Sequence, residues 1–234
     1  MATMLHHQLK THYVRSTDRQ EVLVDGFRID AVDRRGRLIE IQCASLSAIR
    51  DKIRRLVETH QVIVAKPLAA RKKITTLHRR GGEVVSSRYS PVRQTLSYVF
   101  KELVHFGVFP HPRLQLDVLL TEQEEIRIPP HERSSWRKKY SVEQRLLVAV
   151  QKHVKLKTPA DLWNALDVQL PGQFTTADFA DASGMPRWLA QKAAFCFRRM
   201  EFFDVCGKEG NAIIYRLAKP IRHCLLYTSD AADE

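Results

Sequence analysis

The 234-residue chain is 44% hydrophobic and 27% charged, with a net charge of +12 when histidines are neutral. This composition describes a globular chain of one large or two small domains and excludes fibrous, collagen-like and wholly disordered readings. No apolar run approaches the roughly 20 residues that span a bilayer, and the opening MATMLHHQLKTHYV lacks a signal-peptide core. A cytoplasmic protein with no membrane partner is expected. Cys43, Cys196, Cys206 and Cys224 form no CxxC pair and no Cys/His zinc spacing, so they read as free thiols. The positive surplus favours a polyanionic partner, nucleic acid first.

Residues 5–14 fit a short helix. Residues 21–32 are rich in Val, Ile and Phe, residues 33–37 form a polar glycine-containing turn, and residues 38–43 continue as a strand, which predicts a hairpin. Leu46, Ile49, Ile53, Leu56 and Val57 recur at helical spacing, predicting a helix over 45–59, and residues 61–66 read as a buried strand. Strand, helix and strand in succession make a βαβ crossover. After the basic run 71–80 and the Gly81-Gly82 turn, residues 94–106 read as a helix and 114–120 as a strand. The proline-paired, basic stretch 128–140 reads as a linker, dividing the chain into a domain at 1–128, a linker at 129–140 and a second domain at 141–220.

In the second domain, Ser141 and Gln144 have capping-box spacing and predict a helix through Val142, Leu146, Val150 and Val154. Thr158-Pro159 with Asp161 starts another helix, Thr175 or Thr176 caps a third over 177–182, and Pro186 opens a longer one to about Met200. Residues 202–206 and 212–217 flank GKEGN as a hairpin. Residues 224–234, CLLYTSDAADE, have no period and resemble translated sequencing-adapter read-through; they carry three carboxylates and no basic residue, so the remainder has a net charge of +15.

Strand alternation sets Asp30 on one strand and Glu40 with Gln42 on one face of the next, and closing the 33–37 turn brings all three to one sheet edge. Two carboxylates with the carbonyl of Ile41 make an oxygen set for Mg²⁺ or Mn²⁺, which activates water and stabilises charge on a phosphodiester. The residues FRIDAV and LIEIQ, followed by a helix and QVIVAK, resemble the PD-(D/E)XK nuclease superfamily over about residues 5–128. The resemblance implies an α/β domain with an αβββαβ core, in which Asp30 and Glu40 hold the metal and phosphodiester bonds are hydrolysed. Ile29 stands where the family name has proline. Gln42 replaces the lysine that orients or activates the attacking water; glutamine hydrogen-bonds a water but brings no positive charge. Lys52, on the following helix, is the candidate to supply that charge. The stretch through HQVIVAKPLA, SPVR and FKELV is also similar to an uncharacterised bacterial family.

Residues 141–220 resemble a mainly α winged helix-turn-helix domain, with 174–182 as positioning helix, Ser183-Gly184-Met185 as turn, 186–200 as recognition helix and 202–217 as wing. Arg187, Gln191, Ala194 and Arg198 fall on one helical stripe, and Leu189, Ala193, Cys196 and Met200 on another that suits a core. The resemblance implies contact with double-stranded DNA, with Arg and Gln at base edges and Lys192, Arg199 and Lys208 at phosphates. His6, His7 and His12 read as surface residues, and Trp136 and Trp163 as packing groups. The chain therefore reads as a DNA-binding protein with a metal-dependent endonuclease-like domain, compatible with a homodimer. The competing readings are a catalytically inactive nuclease-like regulator and a winged-helix protein-docking adaptor.

Overall fold

A computed structural model describes residues 3–14, 16, 19–129 and 140–218. Trp136, most of the expected linker and the 224–234 tail lie outside the described residues. Helix α1 (Met4–Tyr13) leads into β1 (Gln20–Val24), β2 (Phe27–Val32) and β3 (Leu38–Ile41), a 3₁₀ turn (Leu46–Ile49), α2 (Arg50–Leu56) and the long strand β4 (Val62–Leu77). β5 (Val84–Tyr89), α3 (Val99–Phe106), β6 (Leu114–Ile128) and β7 (Ser141–Leu156) follow. The strands β1 to β7 form one mixed sheet in the order β1-β2-β3-β4-β6-β7, with β5 paired to the far half of β4.

Residues 21–32, read as a run that suits strands, fold back at Asp25-Gly26, whose φ angles of 49° and 79° are both left-handed. An Asp-Gly pair is among the commonest ways to close a two-residue hairpin. The next turn is held by Asp33, whose carboxylate accepts from the N–H groups of Arg35 (2.8 Å) and Arg37 (3.0 Å) and from Arg37 Nε (2.7 Å).

The helix expected from Ser141 is a strand. Apolar residues recur at every second position at Leu146, Val148 and Val150, and β7 runs antiparallel to β6 along its length, from Ile128↔Ser141 to Leu116↔Leu156. Residues 141–156, expected in the second domain, thus belong to the sheet. Strand β4, likewise, does not stop at Lys66. Its basic run lies beside glutamates of β6, in the ion pairs Arg71–Glu122 (3.6 Å), Lys72–Glu125 (3.5 Å) and Lys73–Glu124 (3.4 Å).

Leu5 and Leu9 of α1 pack on Ala31, Ile39, Ile41, Ile63, Ala65 and Leu119 on one sheet face. The other face, with Leu38, Val62, Val64, Leu116 and Val118, is covered by α2 and α3 in a core that continues into the remaining elements. These are α4 (Pro159–Leu166), α5 (Thr176–Ser183), α6 (Arg187–Arg199) and the hairpin β8 (Phe203–Glu209)–β9 (Ala212–Leu217). Thr158 with Asp161, and Thr175 with Asp178, form complete capping boxes at the starts of α4 and α5. Phe174 is bridged to Tyr215 of β9. Phe197 of α6 lies 4.8 Å, centroid to centroid, from Phe203 and 5.2 Å from Phe100 of α3, so the aromatic centre of this region is joined to the sheet's core.

Helix α1 is also held by polar contacts. Asp117, completely buried on β6, accepts from Tyr13 Oη at 2.8 Å and from Gln115 Nε2 at 2.6 Å, and lies 2.7 Å from His153 Nε2. Burial and the adjacent Asp117 charge push the Tyr13 hydroxyl far above its ordinary pKa, keeping it a donor. Asp117→Ala removes the shared acceptor and strands its buried partners. It is expected to lower stability by about 3–5 kcal/mol, measured as a reduced urea midpoint with unchanged slope.

Candidate functional site

The antiparallel pairing of β2 with β3 covers Ala31↔Ile39 and Val32↔Leu38. Beyond it, the side chains of Asp30 and Glu40 take over the hydrogen bonding. The N–H of Asp30 donates to Glu40 Oε1 at 3.3 Å, and the N–H of Ile41 donates to Asp30 Oδ2 at 2.8 Å. The two carboxylates therefore occupy one fork between the strands, each served from a different layer. Asp30 Oδ2 lies 3.1 Å from His6 Nε2 on α1. Glu40 Oε1 accepts from Lys52 Nζ of α2 at 2.5 Å, and the same ammonium donates to Arg28 O at 2.5 Å.

These environments pull the two carboxyls apart. Burial raises the pKa of Asp30, but the bonds from His6 and Ile41 outweigh it, so the group sits below its ordinary value. For Glu40, burial dominates the bond from Lys52, and the neighbouring Asp30 charge adds to it, so the group sits above. Asp30 accordingly stabilises the fold above its unfolded pKa and loses that contribution as pH falls through its depressed folded value. Glu40 runs the other way: its contribution is present at low pH and is lost as pH rises through its elevated folded value.

Of the sequence-predicted residues, Asp30, Glu40 and Lys52 come together. Gln42 does not join them in the fork; its amide donates to Ser45 O at 3.0 Å. Ile41 meets Asp30 through its N–H. Among the described residues no three His, Cys, Asp or Glu side chains group as a metal site. The donor set is thus two carboxylates, oxygen ligands of the kind that hard divalent cations take, with the Lys52 ammonium competing at Glu40.

Three contributors escaped the sequence reading. His6, expected at the surface, is the partner of Asp30, and its Nδ1 is buried without a hydrogen bond. Lys66 is 4% exposed, follows Ala65 whose carbonyl accepts from the Gln42 N–H, and donates to Ala44 O. Its ammonium lies 3.4 Å from Glu102 of α3, which also accepts from the Leu46 N–H at 2.9 Å and so fixes the loop after β3. Lys66 was legible in one respect: in a parallel β3–β4 pair it falls in the row of Gln42.

The second candidate surface is α6. The side chains of Arg187, Gln191 and Arg198 are exposed and form no ion pair or hydrogen bond among the described residues, while Lys192 is half-buried and Lys208 is exposed on β8. A cavity of about 650 Å³ lies between α6, the start of α5 and the β8–β9 hairpin, lined by Thr176, Arg187, Gln191, Glu209, Ala212 and Tyr215. Two expectations fail. Ala194 is 1% exposed and belongs to the core. Arg199 donates to Leu103 O (3.2 Å) and Val104 O (3.1 Å), the last-turn carbonyls of α3, so its guanidinium fastens α6 to α3 and is not directed at a phosphate.

A mixed sheet with a carboxylate fork, joined to a helical region carrying a basic helix, is the class of protein these features define. Residues 3–157 match the family described as Domain of unknown function (DUF8091), and the chain belongs to that family. Its limit coincides with the end of β7. A protein of Treponema pallidum (strain Nichols), described as an uncharacterized protein, is 28% identical over 219 residues, covering 93% of this chain and 86% of its own. No solved structure gives a significant match. No helix among the described residues is long and apolar enough to cross a membrane.

Replacing Lys52 by Ala removes the main bond that lowers the Glu40 pKa. The Glu40 midpoint should rise further, with Asp30 still titrating below it, as read from carboxyl carbon chemical shifts across a pH series.

Proposed function

We propose that this chain is a cytoplasmic DNA-binding protein whose sheet domain is a Mg²⁺- or Mn²⁺-dependent, PD-(D/E)XK-like endonuclease and whose C-terminal region is a winged helix. The observation that carries the reading is the fork itself: Asp30 and Glu40 on adjacent strands, with Lys52 2.5 Å from Glu40. The order α1-β1-β2-β3-α2-β4 agrees with the core that the nuclease resemblance implies. The order α4, bridged Phe174, α5, α6, β8, β9 agrees likewise with a winged helix.

In this reading Asp30 and Glu40 hold the cation, which when bound supplies an activated water and charge stabilisation. Lys52 gives the positive charge that Gln42 lacks, reaching the same place from α2. Its ammonium neutralises Glu40 before substrate arrives and is then positioned to meet a phosphate oxygen. His6 holds the Asp30 carboxylate in place. The basic face of α6 binds the duplex, with Arg187, Gln191 and Arg198 toward base edges. A catalytically inactive regulator is the second reading, favoured by the engagement of the Gln42 amide with Ser45.

Incubating plasmid and linear DNA with the purified protein and Mg²⁺ or Mn²⁺ separates the two. Cleavage is expected, reduced about 100-fold or more by Asp30→Ala, Glu40→Ala or Lys52→Ala, the scale of losing one positioned catalytic group, with DNA affinity retained. Absence of cleavage by wild type across metals and substrates transfers the chain to the regulator reading. In the same preparation, Arg187→Ala and Arg198→Ala should each weaken duplex binding by about 1–3 kcal/mol, and affinity should fall steeply with salt because bound counterions are released.

A further inference from the structure

We propose that Trp188 and Phe195 on the exposed face of α6 form a stacking platform for unpaired bases, so that the protein engages single-stranded as well as duplex DNA. The inference deepens the reading of α6 as a DNA-binding element and rests on it. The face is not simply basic. Trp188 is 43% exposed and Phe195 is 49% exposed. They are seven residues apart, two helical turns, which puts them on one side of the helix about 10 Å apart along its axis. Gln191 lies between them, and Arg187, Lys192 and Arg198 surround them. Helix α6, RWLAQKAAFCFRR, contains no carboxylate.

Each ring has a neighbour that steadies it and is nearly half exposed. Trp188 meets Tyr98 edge-on, with centroids 6.2 Å apart and planes at 83°. The Phe195 ring has the Arg199 guanidinium 5.6 Å from its centroid, and that guanidinium is itself fastened to α3. Preorganised rings lose little freedom when a base stacks on them. Neither ring offers a hydrogen bond from its face, so the rings themselves do not read duplex base edges. Every base has a π-face, so exposed aromatics interleaved with cations suit a single strand: rings take bases, and Arg187, Lys192 and Arg198 follow the phosphates.

The test uses the full chain with a fluorescein-labelled oligo-dT and a blunt duplex of equal length, followed by anisotropy, and with unlabelled oligo-dT followed by tryptophan emission. Oligo-dT should bind at least as tightly as duplex and quench part of the emission, and the quench should be lost in Trp188→Phe while binding persists. Trp188→Ala and Phe195→Ala should each weaken oligo-dT binding about tenfold and change duplex binding less than twofold. Arg187→Ala and Arg198→Ala should weaken both. Thermal melting by circular dichroism identifies any variant that fails to fold, and Trp188→Phe, which preserves the packing on Tyr98, then carries the test. Duplex binding with no oligo-dT binding overturns the stacking inference alone. Oligo-dT binding indifferent to both aromatic substitutions also overturns it. Binding of neither nucleic acid removes the DNA reading of α6 and leaves it a protein-docking face.

Discussion

The parallel pairing of β4 with β6, from Val62↔Leu114 to Thr76↔Arg127, is the constraint on which the rest of the molecule depends. Parallel neighbours need a crossover, and crossovers within one sheet are right-handed. The strands β3, β4 and β6 are added in one direction across the sheet, so both crossings put their helices on the same face. That is why α2 and α3 share a layer, and why α1 lies on the opposite face. The C-terminal helices extend the α2–α3 layer, with Arg199 tying α6 to the end of α3 and Phe197 packed on Phe100. The α6 surface is therefore rigidly related to the sheet domain. Helix α6 is thus one helix removed from Glu102, which fixes the loop that follows β3.

The fork follows from the same layering. Where the β2–β3 ladder ends, two backbone N–H groups need acceptors, and the side chains of Asp30 and Glu40 supply them. A carboxylate bonded in this way is restrained without being used up, since each has a second oxygen. One is steadied by an imidazole from the α1 layer and the other by an ammonium from the α2 layer; their proton affinities diverge because burial outweighs the Lys52 bond at Glu40, whereas the His6 and Ile41 bonds outweigh burial at Asp30. The polar clamps along α1, His6 to Asp30, Lys10 to Glu21 and Tyr13 to Asp117, make the α1 layer a fixed support for that arrangement.

Local chemistry was the legible part of this sequence. Thr158-Pro159 and Thr175 mark helix starts because side-chain caps act over three residues, and helices begin after Thr158 and after Thr175 rather than Thr176. The Asp33–Arg37 turn was legible for the same reason, while the helix expected over 45–59 is a 3₁₀ turn at Leu46–Ile49 followed by α2 at Arg50–Leu56. What depended on a distant partner was not. Residues 141–156 satisfy a capping-box spacing and a two-residue alternation together, and only the open edge of β6 decides between them. The basic run after Lys66 looks like a loop until glutamates of β6 lie alongside. His6 was unreadable because nothing in its own neighbourhood indicates a carboxylate 24 positions later, and Arg199 because its acceptors are the end of another helix.

Net charge, finally, says less about binding than where charge is left uncompensated. The basic stretch Arg71-Lys72-Lys73 on β4 faces Glu122, Glu124 and Glu125, while Arg127 and Arg145 converge on the same Glu125 and Arg80 meets Glu143. Those cations already have partners, and a polyanion arriving there must compete with them, since an ion pair half out of water holds its partners only weakly but still screens them. On α6 the situation is reversed. Arg187 and Arg198 have no ion pair among the described residues, the helix has no acid of its own, and the aromatic rings beside them are open to solvent. The surplus of positive charge in the composition therefore becomes usable at a surface that contributes only a small part of it, and the sheet's larger share serves to hold long strands together.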